Sequence, residues 1–493
     1  MTISETHQQA MNNIYHQVLE KLLAHCSHAQ RAAVQLLIQR LTVAAGGQRG
    51  LAGLRVFLAH GGGKTSSLAL ALLRAAQLSI ARRQGSTFML RVATCRHAGL
   101  GAAVYDNIQR GYSAMFLQDD PRVELLVVDD HQVRPFDHLQ PMDAATGQRN
   151  RDDLLMAGHL TAGDARASFC NGCYLRLADF YPRAMAFQGG VNAWVTSDSP
   201  REQRRYLGWA LRAAGQAGLA QCARPRSLPT VPWQQLARLG DAYDRALYGA
   251  APLAPRPAMP KLAKAPVTVA VHDLVGDQLE DGWRLLVSFL GFRFSELAFG
   301  FSETDCANPL LMAHLRGLRA QYLEQRPYAE GVAQYLELAT TLMRRKHIPA
   351  HLIELALGAY DTRAKLSQRR ALAQQHGRDG FGLDDTQWVC LLFSPFTAQG
   401  AALAAFVQRC HPRLQDALPY FHDALRGRPV AGKWVRWLVN TSGLPMGLLQ
   451  RLYRQPRVDF ADPRSLIARV RASDPDKVWV TQGDAPRVLM TGR

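Results

Sequence analysis

Between Leu54 and Asp130 the chain alternates strand-length apolar runs with helix-length stretches, and this alternation constrains the fold more than any other feature. "LRVFLA" is followed by "TSSLALALLRAAQLSIARR", "TFMLRVAT" by "GLGAAVYDNIQRGYSAMF", and "VELLVVDD" closes the series. Strands separated by a helix do not pair as tight hairpins. The helix carries the chain back across the sheet, so that neighbouring strands run parallel and are covered by helices. The expectation is an α/β N-terminal domain with a three-layer βα unit over residues 49–135, followed by a mostly α-helical C-terminal domain.

The flanking sequence sets the remaining boundaries. Residues 1–48 hold two segments with helical apolar spacing, "IYHQVLEKLLAHC" and "RAAVQLLIQRLTVAA". Residues 136–248 read as mostly helical. Residues 249–266, "GAAPLAPRPAMPKLAKAP", contain five prolines; such a segment resists helix formation and behaves as a stiff, extended spacer, the clearest expected boundary in the chain. Residues 267–493 are dominated by helical periodicity, with clean apolar stripes in "LLMAHLRGLRAQYLEQ" and "GVAQYLELATTLMRRKH".

Length and charge bound the function. A chain of 493 residues exceeds one ordinary core. No apolar run approaches the roughly 18 residues that a membrane span needs, and the first residues, "MTISETHQQAMNNIYHQVLEKLL", lack the basic flank and apolar block of a signal peptide. The expected location is the cytoplasm. Lys plus Arg number 58 against 40 Asp plus Glu, a net charge of +18. That excess favours polyanionic partners through counterion release, although the dominance of Arg, Ala and Leu also follows from a GC-rich genome. Eight cysteines in a chain this long require no disulfide framework.

At the first strand–helix junction stands "HGGGKTSS". A phosphate-binding loop of the form GxxxxGK[ST] wraps phosphates in backbone amides, reaches them with Lys and holds magnesium with the hydroxyl. Gly63, Lys64 and Thr65 fit that pattern, Gly61 adds a second glycine, and Leu58 occupies the position of the first one. Some 65 residues on, "ELLVVDD" offers Asp129 and Asp130 as magnesium carboxylates. The cofactor implied is ATP or GTP with Mg²⁺. The competing reading is a glycine-rich βα turn with Lys64 solvated. "HGGG" also matches an esterase oxyanion-hole signature, but the required GxSxG is missing. "LLVVDDHQVR" likewise lacks the companion strand and lysine of a receiver domain.

"FCNGCY" places Cys170 and Cys173 at CxxC spacing, half of a structural zinc site. Cys95-x-His97 and Cys26-x-His28 are the remote complements available. Two ordinary thiols flanking a turn are the simpler alternative.

Two stretches of the C-terminal half have helix-turn-helix character. In "HLIELALGAYDTRAKLSQRRALAQQ", Gly358 marks a turn and the next helix carries Arg363, Lys365, Arg369 and Arg370. In "WVRWLVNTSGLPMGLLQRLYRQ", the second helix carries Arg451 and Arg454. A short basic helix after a Gly-containing turn is suited to a major groove. The leading expectation is a nucleic-acid-associated bacterial accessory or regulatory protein that contacts DNA or RNA through these units. A P-loop nucleoside triphosphatase, active or degenerate, and a scaffold subunit with protein partners are the alternatives. No residue set in the sequence specifies a chemical reaction.

Overall fold

The structure is a computed structural model that describes residues 3–216, 218, 233–249, 257–262, 264–275, 282–294, 306–345, 348–472, 474, 477–480 and 488–491. Six strands form the central sheet: β1 (Arg55–Ala59), β2 (Met89–Arg96), β3 (Val123–Asp129), β4 (Gln132–Pro135), β5 (Ala193–Thr196) and β6 (Val267–Ala270). Their spatial order is β4-β3-β2-β1-β5-β6. The β3–β4 pair is antiparallel and every other pair is parallel.

Burial follows the two-residue repeat of a strand. Val56, Leu58, Leu90, Val92, Ala193 and Val195 join one core. Phe57, Ala93, Leu126, Val128 and Trp194 join the other. β1, β2, β3 and β5 feed both cores because helices cover both faces, which is why these strands read as largely apolar runs. On the first face lie α1 (Ile3–His25), α2 (His28–Ala44), α3 (Lys64–Gln84) and α4 (Ala102–Ala114). On the second lie α5 (Ala144–Leu160), α6 (Gly172–Ala186), α7 (Pro200–Gln216) and α8 (Trp233–Tyr248). Local sequence sets the helix starts: Ser27 and Gln30 form a reciprocal capping box on α2, and Ser199 and Glu202 exchange the same bonds on α7.

Two strands, β5 and β6, lie where the sequence pattern predicts helix, for a common reason. β5 is the four-residue "AWVT" and β6 the four-residue "VTVA", both too short to show a period. β6 follows the proline-rich segment directly and pairs with β5, so the sheet takes a strand from beyond residue 266. Residues 250–256 and 263 of that segment, and Cys222, lie outside the described residues.

Beyond residue 308 the described residues are mainly helical: α9 (Pro309–Tyr322), α10 (Tyr328–Arg345), α11 (Ala350–Gly358), α12 (Arg363–Phe381), α13 (Asp385–Phe393), α14 (Leu403–Cys410), α15 (Leu418–Arg426), α16 (Gly432–Ser442), α17 (Met446–Arg454) and α18 (Leu466–Ala472), then a small hairpin of β7 (Lys477–Val480) and β8 (Val488–Thr491). These helices share a core with the sheet: Trp388, Phe406, Phe421 and Leu449 belong to the same cluster as Phe57 and Trp194. No helix among the described residues is long and apolar enough to cross a membrane.

Candidate functional site

Strand order reverses between β1 and β5. After β1 the chain turns to α3 on one face; after β5 it turns to α7 on the other. Loops that diverge at the carboxyl ends of adjacent parallel strands leave a crevice, the recurrent ligand position of open α/β sheets. A cavity of about 430 Å³ occupies that crevice, within the size range of small-molecule sites. A second cavity, of about 530 Å³, lies at the opposite edge, where Leu54, Asn192 and Val267 lead into their strands.

One wall is the glycine turn. β1 continues through Leu58 and Ala59, with Leu58 paired to Val92 and Val195 and only 1% exposed. The connection to α3 is therefore the four residues His60 to Gly63, and the position of the first glycine in a phosphate-binding loop falls inside the strand. His60 anchors the turn. Its ring nitrogens lie 3.3 Å from Tyr112 Oη and 3.2 Å from Ser67 Oγ, and its carbonyl accepts from Thr94 Oγ1 at 2.8 Å. Burial lowers this imidazole to about 3, so it is neutral near neutral pH. Gly62 has φ +80°, and a Cβ there would stand 2.7 Å from Val104 Cγ1. Gly63 is the N-cap of α3, with no side-chain cap. Gly61, Gly63, Lys64 and Thr65 all line the cavity at the helix N-terminus, where amides and dipole favour an anion. Across from them stand Asp198 and Glu202 from the start of α7, with Phe180, Tyr181 and Trp194 as an aromatic floor.

Asp129 and Asp130 are placed differently. Asp129 is fully buried and held by Arg96 and Arg134. Asp130, at φ +52°, pairs with Arg176 at 3.2 Å and Arg149 at 3.5 Å. Neither lines the cavity. Both carboxylates expected to hold magnesium are paired with arginines.

The deep wall brings together groups from three distant segments. His97 follows β2, Cys173 opens α6, and Cys306 precedes α9, whose start is fixed by the Asn308 cap and Pro309 at N1. His97 Nδ1 accepts from Gly99 N–H at 3.0 Å and lies 3.3 Å from Cys306 Sγ; Cys306 Sγ is 3.6 Å from Cys173 Sγ. All three ligand atoms lie within 4.8 Å of one another. Burial, aided by the Arg176 charge, lowers His97 to about 3. The approach depends on Gly99, where a Cβ would stand 3.0 Å from Cys306 Cβ. Of the CxxC pair, only Cys173 joins this group. The Cys-Asn-Gly-Cys segment is a π-helical turn running into α6 instead of an open turn, and Cys170 is buried in the core. His97 was within reach of sequence reading as part of Cys95-x-His97; Cys306, 133 residues from Cys173, carried no local signal.

The basic residues divide into two sets. On α12, Arg363 and Lys365 are exposed, with Lys365 paired to Asp361 at 2.9 Å. Arg369 lies over the Tyr360 ring, and Arg370 covers Tyr328 and pairs with Asp385 at 3.0 Å. On α17, Arg454 is exposed and Arg451 half-buried. This helix packs on α15 and α16, and the α16–α17 connection is three residues opened by Gly443 at φ +76°.

No family model, curated protein or solved structure matches the chain.

Proposed function

We propose that the protein binds a phosphate-bearing small molecule, ATP or GTP in the first instance, in the crevice between β1 and β5. The observation that carries this reading is the coincidence, at the reversal of strand order, of a glycine turn with a helix N-terminus bearing Lys64 and Thr65. Amides and dipole at that terminus favour phosphate, Lys64 adds a cation, and the half-buried rings of Tyr174 and Tyr181 give the crevice apolar surface for a base. Binding, not turnover, is the reading, because arginines hold both carboxylates expected to bind magnesium. Calorimetric titration with ATP and GTP tests it. Lys64→Ala is expected to weaken binding by about 10- to 100-fold, the worth of one charge-assisted contact. Equal affinity in both proteins, or none in the wild type, sinks the idea.

A second reading concerns nucleic acid. The α15–α17 unit supports it: a three-residue Gly turn introduces a nine-residue helix, and Arg426, Arg428, Lys433, Arg436 and Arg457 are exposed around it. In this reading α17 contacts duplex DNA, with Arg451 and Arg454 gripping phosphates. The affinity for a DNA duplex is then expected to fall steeply between 50 and 200 mM salt, each phosphate contact contributing roughly 0.9 to the logarithmic slope. Arg454→Ala should reduce that slope by about one. A salt-independent affinity rejects the reading.

A further inference from the structure

We propose that His97, Cys173 and Cys306 bind a zinc ion whose fourth coordination position opens into the β1–β5 crevice. The nucleotide reading leaves this constellation unused, and the proposal does not depend on that reading.

The spacing of the three donor atoms is the first argument. Zinc–thiolate and zinc–imidazole bonds of about 2.3 and 2.05 Å at tetrahedral angles require donor separations of roughly 3.8 Å for S···S and 3.6 Å for S···N. The sulfurs of Cys173 and Cys306 are 3.6 Å apart, and Cys306 Sγ is 3.3 Å from His97 Nδ1. These two separations lie a few tenths of an ångström from those of a loaded site, and the Cys173–His97 pair lies within 4.8 Å. A disulfide, by contrast, needs the sulfurs about 2.05 Å apart.

Donor chemistry is the second argument. Two soft thiolates and an imidazole suit zinc better than magnesium or calcium, which take oxygen ligands. His97 Nδ1 accepts from the Gly99 N–H, which marks it as the nitrogen without a proton; zinc binding exchanges that hydrogen bond for the metal bond, with Cys306 Sγ already 3.3 Å from the same nitrogen. Zinc replaces the two thiol protons, which pass to solvent on binding.

Topology is the third. The group belongs to no single motif: the loop after β2, helix α6 and the segment before α9 each supply one member. All three members also line the crevice that Lys64 and Thr65 border. Cys95 lines the same crevice but lies outside the three-atom group. Three protein ligands beside open space is the pattern of sites that keep a water or substrate atom in the fourth position.

The test uses the reduced full-length chain, stripped with chelator and titrated with Zn²⁺ against a chromophoric competitor, without nucleotide. One equivalent is expected to bind. Cys173→Ser and Cys306→Ser should each weaken binding by more than about 100-fold. Cys170→Ser and Cys95→Ser should leave it within about threefold. Because a cysteine variant can fail to fold, the wild type is also loaded with Co²⁺. A tetrahedral spectrum with thiolate-to-cobalt absorption, shifted by added azide, supports three protein ligands and an open position. Absence of binding by the wild type, a native Cys173–Cys306 disulfide by mass spectrometry, or equal losses in Cys170→Ser and Cys306→Ser overturns the site. A cobalt spectrum indifferent to azide, or loss of binding in Cys95→Ser, overturns the open position. A failed zinc titration leaves the nucleotide reading standing, and a Lys64→Ala protein that loses nucleotide is expected to retain zinc.

Discussion

Gly62 carries two constraints at once: a left-handed backbone and a Cβ position 2.7 Å from Val104 and 2.9 Å from Ile108. Gly62→Ala therefore forces either the turn or α4 to move. A loss of about 1–3 kcal/mol is expected in denaturant titration, together with weaker nucleotide binding, because Gly61 and Gly63 flank the displaced residue. Asp385 is constrained by charge. It accepts from His314 Nε2 at 2.9 Å, Gln374 at 2.9 Å and Arg370 at 3.0 Å, and His314 Nδ1 lies 2.9 Å from Tyr328 Oη. Burial raises its pKa, but the hydrogen bonds and charge of His314, with Gln374 and Arg370, outweigh that and hold it well below the ordinary carboxylate value. A depressed folded pKa contributes stability above the unfolded value, about 3.9, and loses it as pH falls through the folded value. Asp385→Asn is accordingly expected to lower stability by about 2–4 kcal/mol at neutral pH. The deficit should shrink below about pH 4, where the wild type loses the same contribution; a pH series of unfolding titrations reads both.

At the scale of elements, α7 shows how a helix start positions a site. Ser199 and Glu202 cap it reciprocally at 2.9 and 3.2 Å, and Asp198 and Glu202 face the crevice from this turn. Ser199→Ala is expected to lose about 1 kcal/mol of stability and to weaken ligand binding more than stability, measured side by side. Elements with a long period were legible in the sequence: β1, β2, β3, α3 and the C-terminal helices lie where their apolar patterns put them. β5 and β6 were not, since four residues show no repeat and their strand character comes from pairing with β1 and with each other. The candidate site divides the same way. Gly61 to Thr65 form one continuous stretch and stand out on their own. Cys306 joins His97 only because Gly99 allows two backbones to approach, a tertiary fact without a local signature. Arg370, placed by its helical spacing on the outer face of α12, pairs with Asp385 and covers Tyr328, contacts that carry no local signature.

Over the whole molecule, one core ties the sheet to the C-terminal helices, and polar ties reinforce it. Arg166 meets Asp474 through two bonds of 3.0 and 3.2 Å, and Asn171 donates to the same carboxylate at 2.7 Å, with both charged side chains buried. Asp474→Ala removes the carboxylate from a buried guanidinium and is expected to cost about 3–5 kcal/mol in equilibrium unfolding. A chain ending at residue 248 would lack β6 and the part of the shared core that Trp388, Phe406 and Phe421 supply. Such a fragment is expected to bind a hydrophobic dye and to melt without a cooperative transition; a sharp two-state transition would show that the sheet folds alone. The crevice itself has a history in time. Its Cys173 wall is synthesised 133 residues ahead of its Cys306 wall, an interval of roughly 7–27 s at ribosomal rates of about 5–20 residues per second. Throughout that interval the wall that carries Cys306 does not exist, so His97, Cys173 and Cys306 can meet only after residue 306 has been made and has docked.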